Sequence, residues 1–291
     1  MPASRANRMT WVGAGIGLIL LLVAVVIGVS WRGERSAPAS SPQVSLSHIH
    51  GMAVNPADGL LYVATHHGVV RVSNTEATAV GDSRQDTMGF TVVGPNHFIA
   101  SGHPAPGESG PGQLGLIEST DAGRTWRVVS LTGQADFHAL RSVGGVTYGL
   151  DSGTSSLLAS QDRLNWEARS RIEAHDLAVD PQRTDTMLAS TQQGLQRSTD
   201  GGRTWRPSAG PIVLLLDWPA RDRLNAIDVD GRILRSSDGG ATWSPTAGST
   251  PGAPAAFATH GEVLYVATLD GQVLRSNDAG ATWEPMLTSQ S

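Results

Sequence analysis

The 291-residue chain contains no cysteine and, because all 21 of its basic residues are arginine, no lysine. These absences exclude disulfides, thiolate nucleophiles, cysteine-ligated zinc or iron–sulfur centres, Schiff-base lysines and the lysine of a phosphate-binding P-loop. They do not declare a redox compartment, since exported proteins can dispense with disulfides. Charged residues are sparse at 16%, and 34 Gly with 16 Pro suit a turn-rich β protein better than a helical or disordered one.

One long hydrophobic run is present. From Trp11 to Trp31 the chain carries no charge and, at ~1.5 Å per residue, is about 30 Å long as a helix, which spans a bilayer. The two tryptophans bracket it as interfacial side chains do. Arg5 and Arg8 precede it and Arg32 and Arg35 follow it, so the positive-inside count alone does not orient it. The organisation expected is a cytoplasmic N-terminus at 1–10, a single transmembrane anchor at 11–31, a Ser/Pro linker at 32–45 and a folded domain at 46–291 outside the cytoplasm, tethered to the cell membrane. The alternative is a cleaved signal peptide with Ala37-Pro38-Ala39 as its small-residue site, although the apolar core exceeds the usual length. Beyond the linker 17 Arg face 25 acidic residues, about −8 with His neutral, which disfavours nucleic acid and anionic lipid as partners.

Self-comparison exposes one octet four times: STDAGRTW at 119–126, STDGGRTW at 198–205, SSDGGATW at 236–243 and SNDAGATW at 276–283. SQDRLNW at 160–166 is a degenerate copy, and GVVRVSN around Asn74 aligns through the strand that precedes each octet. The equivalent positions Asn74, Asp121, Asp162, Asp200, Asp238 and Asp278 are spaced by 47, 41, 38, 38 and 40 residues. A period near forty with several short strands per unit predicts a β-propeller. Six such units predict six blades, with seven the alternative if one divergent blade is hidden. In each octet an Asp carboxylate accepts backbone N–H groups of a tight turn, and Gly takes the positive φ. The Trp one strand later fills the space between blades, a structural role for five of the eight tryptophans.

The octet resembles the Asp-box of BNR-repeat propellers, the family of sialidases, sortilin-like receptors and photosystem assembly factors. The resemblance covers 46–291 and implies an all-β, six-bladed propeller, here preceded by one transmembrane helix. It does not bring sialidase chemistry with it. Sialidases of this kind clamp a carboxylate with three arginines and pair a tyrosine nucleophile with a glutamate. Here Tyr62, Tyr148 and Tyr265 share one repeat position, which means core packing, the arginines cluster beside the octets, and Phe-Arg-Ile-Pro is absent.

Aligned inner strands give two columns. One holds His50, Met88, His138, His175, Val213 and Ala255; the other, two residues earlier, holds His48, Asp86, Asp136, Glu173, Pro211 and Ala253. Strand alternation aims both into or over the central channel. His66, His67 and His103 end second strands and share that end of the propeller, with the octets at the other. Imidazole, thioether and carboxylate together are donors for a transition metal, so His48, His50, His66, His67, Met88, His103, His138 and His175 are the candidate ligands. His and Met without Cys suit copper; His with carboxylate suits zinc, manganese or iron. The leading reading is a binding module for a metal ion or small polar ligand. Its rivals are a glycoside hydrolase-like enzyme using Asp86, Asp136 and Glu173, and a scaffold with a protein partner. The Gly/Pro insertion at 101–113 overhangs the histidines, either as a lid or as a tolerated surface loop.

Overall fold

The computed structural model describes residues 46, 48–73 and 76–287. Six four-stranded antiparallel sheets, each made of four consecutive strands, occupy 49–79, 86–130, 137–171, 174–207, 213–249 and 254–287. The inner strands are Ile49–Val54, Asp86–Gly94, Phe137–Val143, Ala174–Asp180, Val213–Ala220 and Pro254–His260. Each lies beside the next and the sixth beside the first, so the sheets close a ring of six blades. Among the described residues no strand is exchanged between the first and last blades. Closure rests on side chains: Ile49, Met52 and Val63 of blade 1 pack with Ala256, Val273 and Met286 of blade 6. The expected anchor at 11–31, the linker at 32–45 and Asn74 lie outside the described residues, among which no helix is long and apolar enough to cross a membrane.

The octets form the turns expected of them. Asp200 Oδ1 accepts from Ser198 Oγ (2.7 Å), Arg203 N (3.0 Å) and Thr204 N (2.9 Å), and Oδ2 accepts from Thr204 Oγ1 (2.6 Å). Ser198 Oγ in turn accepts from Gly202 N at 2.8 Å. Asp121, Asp238 and Asp278 repeat the pattern. These bonds stabilise the ionised carboxylate. Those from Thr204 and Thr282 hold Asp200 and Asp278 down at about 2, and those from Asn165 and Thr242 hold Asp162 and Asp238 lower still.

Two consecutive left-handed residues follow each full box aspartate. The first is glycine in two boxes but Ala122 and Ala279 in the others, at φ 61° and 58°. The second is always glycine, and in three of the four boxes the reason lies in the neighbouring blade, whereas a Cβ on Gly123 would meet nothing closer than Val80 Cγ1 at 3.5 Å. A Cβ on Gly202 would meet Leu157 Cδ2 at 2.1 Å, one on Gly240 Leu188 Cδ1 at 2.6 Å, and one on Gly280 Ile233 Cγ1 at 2.7 Å. The box is therefore an inter-blade contact as well as a hairpin lock.

The core follows the same division. Each apolar cluster joins two adjacent blades, because both faces of every sheet are covered by a neighbour. Trp126, Trp166, Trp205, Trp243 and Trp283 each pack on the cluster shared with the preceding blade. Trp166 and Trp205 Nε1 also donate to Ser130 and Ser170 Oγ of that blade, both at 2.9 Å. Tyr62 and Tyr148 are buried at 3%, in keeping with packing roles.

Two consequences are measurable. Gly202→Ala should destabilise by about 2–4 kcal/mol, combining a left-handed Cβ with overpacking, whereas Gly201→Ala should cost only about 1 kcal/mol. Urea midpoints of the two variants check this, and equal costs would refute the inter-blade role of the second glycine. The box carboxylates also set an acid limit. Their folded pKa values lie below the unfolded value of about 3.9, so the stability they contribute is present above pH about 4 and is lost as pH falls towards about 2. An Asp200→Asn, Asp278→Asn double variant should flatten the dependence of the urea midpoint on pH in that window; an unchanged slope would contradict the assignment.

Candidate functional site

The site is built on a backbone irregularity that all six blades share. Pairing of the inner with the second strand slips between Ile49 and Gly51, Thr87 and Phe90, Phe137 and Ala139, Ala174 and Asp176, Val213 and Leu215, and Pro254 and Ala256. Each is a β-bulge whose extra residue is released from the ladder and re-aimed. The released residues are His50, Met88, His138, His175, Leu214 and Ala255, which all line a central channel of about 870 Å³ except that its wall takes Leu214 in blade 5. The expected column is thus corrected by one residue there: Val213 stays in the ladder and is buried between blades 4 and 5. The octet turns bond to the opposite hairpins, Ala122 N to Asn96 O and Gly201 N to Asp185 O, so histidines and boxes occupy opposite ends.

Blades 1 and 2 gather His50, His66 and Asp86, with one donor atom from each within 4.8 Å of the others. His50 Nε2 lies 3.6 Å from Asp86 Oδ1, and His66 Nε2 lies 3.8 Å from Asp86 Oδ2. Among the described residues both His50 Nε2 and Asp86 Oδ1 are buried without a hydrogen-bond partner. The His66 ring is stacked between His48 and His50, at centroid distances of 4.5 and 4.7 Å. His48 reaches this place from a residue with φ 55°, outside strand geometry. Burial lowers the His50 pKa to about 4, helped by His66, His138 and His48 and opposed by Asp86, so the ring is a neutral donor near pH 7.

A second group spans blades 2 and 3. Asp136 Oδ2 accepts from His138 Nε2 at 2.9 Å and from Ser152 Oγ at 2.8 Å, with His103 Nε2 at 3.5 Å. Burial raises the Asp136 pKa, but the bonds from His138 and Ser152 outweigh it and hold the carboxyl below its ordinary value; the same bond holds His138 above its own. The insertion at 101–113 folds back on this group: Leu114 N donates to Gly102 O, and His103 Nδ1 lies 2.8 Å from Gly112 O. A carbonyl only accepts, so Nδ1 of His103 carries the proton.

The remaining candidates stand apart from these groups. His175 and Glu173 are exposed on blade 4, His67 is exposed in the turn after the second strand of blade 1, and Met88 lines the channel. Asp86 and Asp136 sit against imidazoles, while Glu173 lines a side cavity of about 640 Å³. Deeper in the channel is a polar cluster that strand alternation does not reveal. Asp176 accepts from Arg141 Nη2 (2.6 Å), Leu177 N (2.7 Å) and Leu216 N (2.9 Å), tying blade 4 to blades 3 and 5. Asp217 is in the same wall, and burial raises its pKa against hydrogen bonding from Thr259. The bulge at His175 explains the omission: it turns the next residue, Asp176, out of the phase that period two assigns.

A family model described as the BNR/Asp-box repeat matches residues 196–207. No curated protein matches the chain in sequence. Solved structures share its shape at low identity. A YCF48 bound to a D1 peptide is 17% identical with a TM-score of 0.51, over 84% of this chain and 83% of that one. A GH74 enzyme of Niastella koreensis is 16% identical at 0.53, over 82% of this chain but only 37% of that enzyme. A chain of a nidogen/laminin complex is 13% identical at 0.61, over 79% and 93%. At such identities the likeness establishes architecture. With the closed ring of six sheets and the family match at 196–207, the chain is a six-bladed β-propeller that carries a BNR/Asp-box repeat.

Proposed function

We propose that this propeller is a binding module whose histidine end holds a divalent transition-metal ion through His50, His66 and Asp86, on a domain tethered outside the cytoplasm by residues 11–31. The observation that carries the reading is the orphaned pair His50 Nε2 and Asp86 Oδ1, 3.6 Å apart and buried. Among the described residues neither atom has a partner, and leaving buried polar atoms unpaired costs about 1–3 kcal/mol each. Two ligands of a tetrahedral zinc site, each about 2.1 Å from the ion, are about 3.4 Å apart, so an ion between them satisfies both. The rings of His50 and His66 are within 19° of parallel and must splay to share one ion. Three protein ligands leave a coordination position open for water or a small polar ligand. Nitrogen and carboxylate donors suit zinc, manganese or iron, and copper is accepted as well.

A specific observation favours a protein partner at the same end as a second reading. Ile212, Val229 and Leu269 of blades 5 and 6 are 51, 55 and 74% exposed beside the cavities, and a YCF48 of this architecture is solved with a peptide bound.

Elemental analysis of the full-length chain, purified without a polyhistidine tag or chelator and titrated with zinc and copper, tests the metal reading. About one equivalent per chain should remain through gel filtration, and a His66→Ala, Asp86→Asn variant with unchanged circular dichroism should lose it. Unchanged stoichiometry in that variant, or no retained metal in the parent, would exclude the site and move the protein-partner reading to the front.

A further inference from the structure

Beside the channel, the side cavity of about 640 Å³ is shared by blades 3, 4 and 5 at the histidine end. It forms where the second strands Val146–Asp151, Arg183–Thr191 and Arg223–Asp228 end and the inner strands of blades 4 and 5 begin. Its volume is that of a small-molecule site. The blades divide its chemistry. Blade 5 contributes only apolar side chains, Ile212, Val213, Leu214 and Val229, and of these Ile212 and Val229 are 51% and 55% exposed. The polar groups of the lining come from blades 3 and 4.

Those polar groups are negative or neutral. Asp151 of blade 3 is 5% exposed, and its oxygens accept from Asp136 N at 2.8 Å, Thr154 N at 3.1 Å and Thr154 Oγ1, none of which is cationic. Glu173 of blade 4 is exposed and, among the described residues, makes no ion pair. No described arginine lines the cavity: Arg171 lies outside the lining, Arg141 is held by Asp176 at 2.6 Å and Arg232 by Asp228 at 2.7 Å. His138 bonds Asp136 Oδ2 at 2.9 Å, so even protonated it brings no net positive charge, and His175 is exposed. The hydroxyls of Ser152 and Thr191 donate to Asp136 and to Gly194 O, which leaves their oxygens as acceptors toward a ligand. Ser155 and Gln192 complete a neutral polar lining.

We propose that the side cavity binds a small organic cation, a primary ammonium group on an apolar aliphatic or aromatic body. The body lies against the apolar side chains of blade 5 and covers Ile212 and Val229, which water otherwise wets. The ammonium supplies donors to a lining made of acceptors and brings the positive charge that Asp151 and Glu173 lack. An anion of the same shape meets two carboxylates and no arginine, and a neutral molecule leaves their charge uncompensated. The inference does not rest on the metal reading, because none of His50, His66 and Asp86 lines this cavity.

The test is calorimetric titration of the full-length chain in excess chelator, at about pH 8 and so above the ordinary imidazole value of about 6.5, with 2-phenylethylammonium as probe. 3-Phenylpropionate carries a similar body with the opposite charge, 2-phenylethanol the body without charge, and methylammonium the charge without the body. Phenylethylammonium should bind about 10-fold or more tightly than each of the three. Glu173→Gln should weaken it by about 10-fold and leave phenylethanol unchanged, whereas Val229→Ser should weaken both by about 3-fold. Both side chains are exposed, so the variants should keep the melting temperature of the parent. Equal or tighter binding of phenylpropionate, no binding of the ammonium probe, affinity insensitive to Glu173→Gln, or binding that appears only when zinc replaces the chelator overturns the inference. None of these results alters zinc retention, and failure to retain zinc leaves the cavity assignment standing.

Discussion

In three of the four full boxes a glycine in left-handed conformation presses against a leucine or isoleucine of the blade before it, and this packing constraint sets how those blades meet. Gly202 on Leu157, Gly240 on Leu188 and Gly280 on Ile233 are three instances, and each is held by a Ser–Asp–Thr hydrogen-bonded turn. The turn fixes the outer hairpin of its own blade, while the glycine and the following Trp fix the angle to the preceding one. Because this unit recurs, the inner strands arrive around one axis in equivalent register. Among the described residues no strand is exchanged between the first and last blades, and these contacts with the apolar clusters between blades hold the ring.

Equivalent register has a chemical consequence. A bulge at the same place in all six inner strands turns one residue per blade toward the channel, and the identity of that residue is free to vary without harming the ladder. Blades 1 to 4 use the freedom for His, Met, His and His, while blades 5 and 6 place Leu214 and Ala255 there. One rim is therefore rich in donors and the other apolar. The donors divide further. Among the described residues His50 Nε2 and Asp86 Oδ1 lack hydrogen-bond partners beside His66, whereas His103, His138 and Ser152 converge on a single carboxylate oxygen of Asp136. The first group brings two imidazoles beside one carboxylate, and the second fixes one carboxylate by hydrogen bonds.

The columns of the candidate site were readable in the sequence because they sit at fixed offsets from a repeat with a strong signature. His50, Asp86, Asp136 and His138 were found in that way, and His66 and His103 followed from the ends of second strands. What alternation could not supply was phase. In blade 5 the channel residue is Leu214 rather than Val213, and Asp176 enters the channel wall one position after His175, since a bulge inserts a residue into the count. Ser152 carried no signal at all, because a serine in a turn is common and its partner Asp136 is distant in the chain.

The sequence by itself determined the repeat, the blade number and the end of the propeller on which the histidines lie, because each follows from local hydrogen bonding and from spacing along one strand. Tertiary structure alone decided which histidine meets which carboxylate. That pairing joins blade 1 to blade 2 at His50 and Asp86 and sets His103 of blade 2 against Asp136 at the edge of blade 3, across gaps whose width depends on how neighbouring sheets pack. Burial, and with it the neutral state of His50, belongs to the same set, since desolvation is a property of the assembled channel and not of any segment of the chain.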